Sequence, residues 1–162
     1  MLTRLARVED LPVVQRLYRE LRPDDPEPSA DEAARRWSAL LGQQTVKLIV
    51  AEHGDQLAST CMLALIPNFA SGGRPIGLIE HVVTLSTLRG QGFAGAVLRH
   101  ALHLAWSDDC CKVVLLSGAQ RVDAHRLYES LGFRGNIERG FVVKPEWSDS
   151  ILNGGVADAT PP

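Results

Sequence analysis

The sequence predicts one α/β domain whose elements run β-α-α-β-β-β-α-β-α-β-β. Three observations carry that prediction. Two strand-like runs, Val46 to Glu52 and Leu57 to Ile66, flank the turn signal His53-Gly54-Asp55, so the first half holds antiparallel hairpins. An apolar strand, Ile79 to Leu85, leads into Arg89-Gly90-Gln91-Gly92-Phe93-Ala94-Gly95 and then into residues at helical spacing: Phe93, Val97, Leu98, Ala101, Leu102 and Ala105. A further apolar run, Val113 to Leu116, follows that helix and closes a βαβ crossover.

The other elements follow in order. Leu2 to Val8 alternates as a first strand. Glu9-Asp10 opens a helix that tolerates Pro12 in its first turn and buries Leu11, Val14, Leu17, Tyr18 and Leu21. Pro23, Pro26 and Pro28 then stop helical structure. Ser29, with Glu32 three residues on, caps a second helix carrying Ala33, Trp37, Leu40 and Leu41 and ending at Gly42. Pro67 to Pro75 is a loop. A last helix spans Val122 to Leu131 and stops at Gly132, and Phe133–Arg134 and Gly140–Val143 are expected as a final strand pair. Residues 1–146 are read as the domain and 147–162 as a flexible C-terminal tail.

Composition bounds the function classes. At 162 residues, 45% hydrophobic and 22% charged, the chain reads as a soluble globular protein able to bury a core. Its net charge of −2 gives no general basic surface for nucleic acid. No apolar run approaches the roughly 20 residues that span a bilayer, and no signal-peptide stretch follows Met1. Cys61, Cys110 and Cys111 form neither a disulfide framework nor a metal spacing, so a cytoplasmic setting and buried thiols are expected.

The glycine stretch is where chemistry concentrates. Glycines at 90 and 92 allow backbone N–H groups to turn inward. The helix that follows presents unbonded N–H groups and the positive end of its dipole. Such an end binds phosphate. Gly90-x-Gly92-x-x-Gly95 also fits a dinucleotide fingerprint, but Asp108 and Asp109 precede the next strand instead of ending it. A triphosphate loop requires a Gly-Lys-Ser/Thr that is absent here.

Arg89-x-x-Gly92-x-Ala94 resembles the Arg/Gln-x-x-Gly-x-Gly/Ala signature of the GNAT superfamily of acyl-CoA-dependent N-acetyltransferases. Leu127-Tyr128-Glu129-Ser130-Leu131-Gly132-Phe133 resembles that superfamily's (Phe/Leu)-Tyr-x-x-x-Gly-Phe segment, in the same order and at similar spacing. Ile79-Glu80-x-Val82-Val83 is similar to its glucosamine-phosphate N-acetyltransferase branch and small bacterial relatives. The resemblance covers about residues 2 to 144. It implies a mixed, mostly antiparallel central sheet with helices on both faces, and transfer of acetyl from acetyl-CoA to a small-molecule primary amine without a metal. It further implies that Arg89, Gly90, Gln91, Gly92, Phe93, Ala94 and Gly95 hold the pyrophosphate of coenzyme A. Val82, Val83 and Thr84 would pair with the pantetheine arm, and Tyr128 would touch the cofactor and give a proton to the departing sulfur. A homodimer is a further implication. The alternative reading is a non-catalytic acyl-CoA-binding sensor or regulatory module.

Glu80 is the candidate base. A carboxylate inside Leu78-Ile79-Glu80-His81-Val82-Val83 is costly to bury unless it is paired, protonated or working. Its bland reading is a partner for a nearby Arg or Lys. His81 points to the opposite face of a regular strand and could share Glu80's site only across a bulge. His100 and His103 read as a solvated helix face, His53 as a turn residue, and His125 as a candidate for the cofactor cleft. Where many members of the resembled family carry Asn, this chain has Arg121, and Lys112 and Arg126 are other candidates for a cofactor phosphate. Acceptor recognition is expected from the first two helices and from the loops holding Arg22 and Arg74.

Overall fold

A computed structural model describes residues 1–145, and the expected tail at 147–162 lies outside the described residues. Five strands form one sheet in sequence order: β1 (Leu2–Leu5), β2 (Val46–His53), β3 (Gln56–Ile66), β4 (Ile76–Thr84) and β5 (Lys112–Leu115). All neighbours pair antiparallel except β4 and β5, which run parallel around the crossover. The helices are α1 (Leu11–Leu21), α2 (Ala30–Leu41), α3 (Phe93–Ser107) and α4 (Val122–Ser130).

Helices cover both faces because β2 alternates. Ile49 and Ala51 join Val97, Leu98, Ala101 and Ala105 of α3 in one buried cluster. Leu48 and Val50 join Val14 of α1 and Trp37 of α2 in another. The Trp37 indole N–H is satisfied by the carbonyls of Arg7 and Val8, at 3.2 and 3.1 Å. At the head of α2, Ser29 Oγ accepts from the Glu32 N–H at 3.3 Å, the half of the expected capping box that forms.

β1 is shorter than its alternating pattern. The buried Asp10 carboxylate accepts from the Arg7 N–H at 2.7 Å and from Arg4 at 2.7 and 3.0 Å, which turns the chain into a 3₁₀ segment at Val8–Asp10. Burial alone would push this carboxyl up; the Arg4 and Arg7 hydrogen bonds outweigh it and hold Asp10 below its ordinary value.

The expected strand pair at Phe133–Arg134 and Gly140–Val143 does not form among the described residues. The segment instead lies against β5 through side chains. Lys112 Nζ donates to Glu138 at 2.7 and 3.0 Å. A Cβ at Gly140 would stand 2.5 Å from a methyl of Leu116. Phe141, Val142 and Val143 stay exposed, so the apolar run that suggested a strand buries nothing here.

β4 determines where the site lies. It pairs with β5 only over Ile76–Ile79 against Lys112–Leu115, and beyond Ile79 the two strands part. Against β3, Thr60 pairs with Val83 and Met62 with Glu80, so β4 carries one residue too many. That bulge centres on His81, held at φ 55°.

Candidate active site

The parting of β4 from β5 opens a cleft of about 290 Å³ lined by Glu80, His81, Val82, Ser117, Arg121 and Tyr128, with Arg22 at its rim from the end of α1. A crevice beyond the ends of parallel strands, where the chain order turns, is the usual ligand position in sheets of this kind.

One end of the system is the glycine loop. Gly90 and Gly92 adopt φ 75° and 86°. Gly92 is the N-cap of α3, and this left-handed residue turns the following amides outward. The Ala96 N–H is the first to bond back, to the Gly92 carbonyl at 3.0 Å. The N–H groups of Gly92, Phe93, Ala94 and Gly95 make no hydrogen bond to described residues, leaving a row of donors at the positive end of a 15-residue helix. The Phe93 ring is buried, edge-on to His53 at 5.4 Å, so this residue offers the loop only its backbone. Arg89 folds onto its own loop: its Nε donates to the Thr84 carbonyl at 3.3 Å and its guanidinium lies 3.4 Å from Glu20, which also accepts from the Ser86 N–H at 2.7 Å. The outer edge of β4 at Val82 and Thr84 has no strand beside it, whereas the inner edge is held by Ser59 and Thr60 of β3.

At the other end stands Tyr128, only 7% exposed. The glycine and phenylalanine that follow it have a mechanical reason. Gly132, at φ 92°, ends α4 so that the Gly132 N–H bonds the Glu129 carbonyl and the Phe133 N–H bonds the Tyr128 carbonyl, at 3.0 and 3.1 Å. The Phe133 ring then packs edge-on against Tyr128 at 6.1 Å and fixes the phenol. The Tyr128 hydroxyl makes no hydrogen bond to any described residue. Burial pushes this phenol above its ordinary value; Arg121 pulls the other way, and Cys61 and Glu80 add to the rise.

Glu80 is half-buried, and its carboxylate has no ion pair or hydrogen bond among the described residues, so the bland reading as a salt-bridge partner finds no support. The bulge brings His81 into the same cleft, which strict alternation would forbid. The His81 ring rests 5.2 Å from that of Tyr18. A non-glycine residue at positive φ is held by its surroundings at a local cost.

Other candidates fall elsewhere. Arg74 ties its loop to the α3–β5 turn through Asp109 and the Cys110 carbonyl, both at 3.1 Å, and does not line the cleft. Lys112 is engaged by Glu138, and Arg126 lies 3.7 Å from Asp123. His125 faces the Gly118 carbonyl at 3.0 Å. His100 is half-buried against Thr3 Oγ1 at 2.9 Å, and burial, with His103 beside it, lowers its proton affinity. Among the described residues no group of His, Cys, Asp or Glu could hold a metal ion, and no helix is long and apolar enough to cross a membrane. Sequence reasoning passed over Ser117. Its hydroxyl oxygen is buried without a partner among the described residues, and its only sequence signal is its place just past the end of β5.

Comparison with known proteins adds the following. The model of the acetyltransferase (GNAT) family matches residues 14–133. A glucosamine 6-phosphate N-acetyltransferase of Trypanosoma brucei brucei is 33% identical over 90 residues, 56% of this chain and 59% of that protein. The chain thus spans less than two thirds of the length of the curated relatives it matches. A solved structure assigned as an acetyltransferase from Agrobacterium tumefaciens str. C58 is 38% identical with a TM-score of 0.84, covering 89% of this chain and 99% of that one. A transcriptional regulator from Bacillus halodurans C-125 is 26% identical with a TM-score of 0.79, covering 88% and 98%.

Proposed function

Because the chain belongs to the acetyltransferase (GNAT) family, we propose that it moves the acetyl group of acetyl-CoA to the primary amine of a small molecule, by direct attack in a ternary complex. One observation carries this reading: β4 leads from a cleft holding an unpartnered phenol and carboxylate, along an edge with no strand beside it, to a loop of unbonded helix N-terminal donors. The residues present fit the cofactor. The Gly90–Gly95 amides would take the pyrophosphate, and the open β4 edge at Val82–Thr84 would take the pantetheine arm as an added strand. Acetyl-CoA, when bound, supplies an acetyl group activated as a thioester.

The chain's own residues then position and move protons. Fixing two reactants in register lowers a barrier by up to about 7–11 kcal/mol, more than the roughly 3–5 kcal/mol of one acid or base. Glu80 accepts a proton from the incoming ammonium, directly or through water. Tyr128, kept protonated by its buried setting, holds a proton for the sulfur that leaves. The name of the Trypanosoma relative, an enzyme of an amino-sugar phosphate, supports a small-molecule acceptor.

The Bacillus halodurans neighbour, a transcriptional regulator by name, favours a second reading: an acyl-CoA-binding regulatory module without chemistry. Free-thiol release from acetyl-CoA with a panel of amines decides between them. Amine-dependent release is expected; tight binding with no release from any amine would favour the module. The loop has its own test. Gly92→Ala places a Cβ at φ 86°, at a cost of about 1–2 kcal/mol. The acetyl-CoA Kd should rise by about tenfold, and calorimetry showing an unchanged Kd would remove the loop from cofactor binding.

A further inference from the structure

Resting on the acetyl-transfer reading, we infer that the acceptor is an anion as well as an amine: it carries a carboxylate or a phosphate monoester, which Arg22, Arg121 and the Ser117 hydroxyl receive. All three residues line the cleft that holds Glu80 and Tyr128. Neither guanidinium has an ion pair or a side-chain hydrogen bond among the described residues, and the Ser117 oxygen is buried without a partner. Two exposed guanidiniums without protein partners among the described residues and one buried, unbonded hydroxyl therefore line one crevice, from three elements: the end of α1, the head of α4 and the segment after β5. A buried hydroxyl left unbonded is costly, and a ligand acceptor removes that cost.

The same crevice contains one unpartnered carboxylate, Glu80, and neither arginine closes on it. Opposite functions are thereby kept apart: a carboxylate for the acceptor's ammonium, and two planar forks whose geometry suits carboxylate or phosphate oxygens. The chain as a whole carries −2, so this local cationic excess is not a general property of the surface. The Arg121 stem is steadied over Gly118, where a Cβ would lie 3.7 Å from its Cγ and Cδ.

The cofactor's own pyrophosphate is a poor match for these arginines. Its donors at Gly92–Gly95 lie past Thr84, whereas the cleft begins at Ile79–Val82. Extended backbone rises about 3.3 Å per residue, which puts roughly 10–13 Å of β4 between Thr84 and Glu80. The phosphate of the cofactor thus belongs to the loop end and the anion of the acceptor to the acyl end.

The test compares each anionic amine with its neutral counterpart: glucosamine 6-phosphate with glucosamine, phosphoethanolamine with ethanolamine, and amino acids with their amides. Steady-state kinetics run beside calorimetry of acetyl-CoA. At least one anionic member should exceed its neutral partner by about 100-fold in kcat/KM, and whether it is a phosphate or a carboxylate identifies the source of the anion. Arg22→Gln and Arg121→Gln should each reduce that preference by about tenfold or more, with the acetyl-CoA Kd unmoved. Both side chains are solvent-exposed, so the variants keep the fold. The inference is overturned if neutral amines react as well as their anionic partners, or if acetyl-CoA binds and no anionic member is acetylated. It is also overturned if the arginine variants lose acetyl-CoA affinity instead of acceptor preference. Absence of acetyl-CoA binding to the unaltered protein would instead sink the transfer reading itself, and the inference with it.

Discussion

Tyr128→Phe is expected to lower kcat by about 100- to 1,000-fold while the acetyl-CoA Kd stays within about twofold. Such a loss corresponds to about 3–4 kcal/mol of transition-state stabilisation. The variant is clean because the hydroxyl has no partner among the described residues, so removing it breaks no protein hydrogen bond. The ring keeps its edge-on contact with Phe133, and the helix end keeps the paired bonds around Gly132. The fold should therefore retain its stability, which a thermal melt checks.

The pH profile makes the same test sharper. Burial raises the phenol's proton affinity, so an acid role predicts a basic limb above the ordinary tyrosine range of about 10. Below that limb the phenol is protonated and competent; above it the proton is gone and the rate falls. The limb should vanish in Tyr128→Phe. An unchanged kcat would remove Tyr128 from the acid role and leave it a packed aromatic.

How much of this was legible in the sequence depends on whether geometry leaves a residue type behind. Left-handed backbone selects glycine, so Gly90, Gly92 and Gly132 announce the turn into α3 and the stop of α4 by residue type alone. The unbroken apolar run Leu48-Ile49-Val50-Ala51 in β2 likewise fits a strand buried on both faces. The bulge in β4 leaves no such mark. It is carried by His81 at positive φ, a position where glycine would have signalled it and histidine does not. That silence matters for the site, because the bulge brings His81 and Glu80 into one cleft. The end of the chain misleads in the other direction: Phe141, Val142 and Val143 have a strand's composition but remain exposed, since the neighbouring contacts to β5 run through Lys112, Glu138 and Leu116. Ser117 is invisible for a third reason. A serine after a strand is ordinary, and only the absence of a partner for its buried oxygen makes it notable.

The bulge also sets up the second large effect. Glu80→Gln is expected to lower kcat by about 100-fold or more and to remove the acidic limb of its pH profile. The carboxylate makes no ion pair or hydrogen bond among the described residues, so its replacement by an isosteric amide leaves no stranded cation behind. A purely structural Glu80 would show its loss in stability; a base shows it in the rate and in the shape of the profile. His81 is the proper control because the bulge gives it the same access. With Glu80 as base, His81→Asn keeps an acidic limb at the wild-type midpoint while Glu80→Gln lacks it. With His81 as base the two variants exchange behaviours. A limb unchanged in both would place the proton acceptor on water or on the acceptor molecule itself, and Glu80 would then serve to hold the ammonium beside the cleft's two arginines.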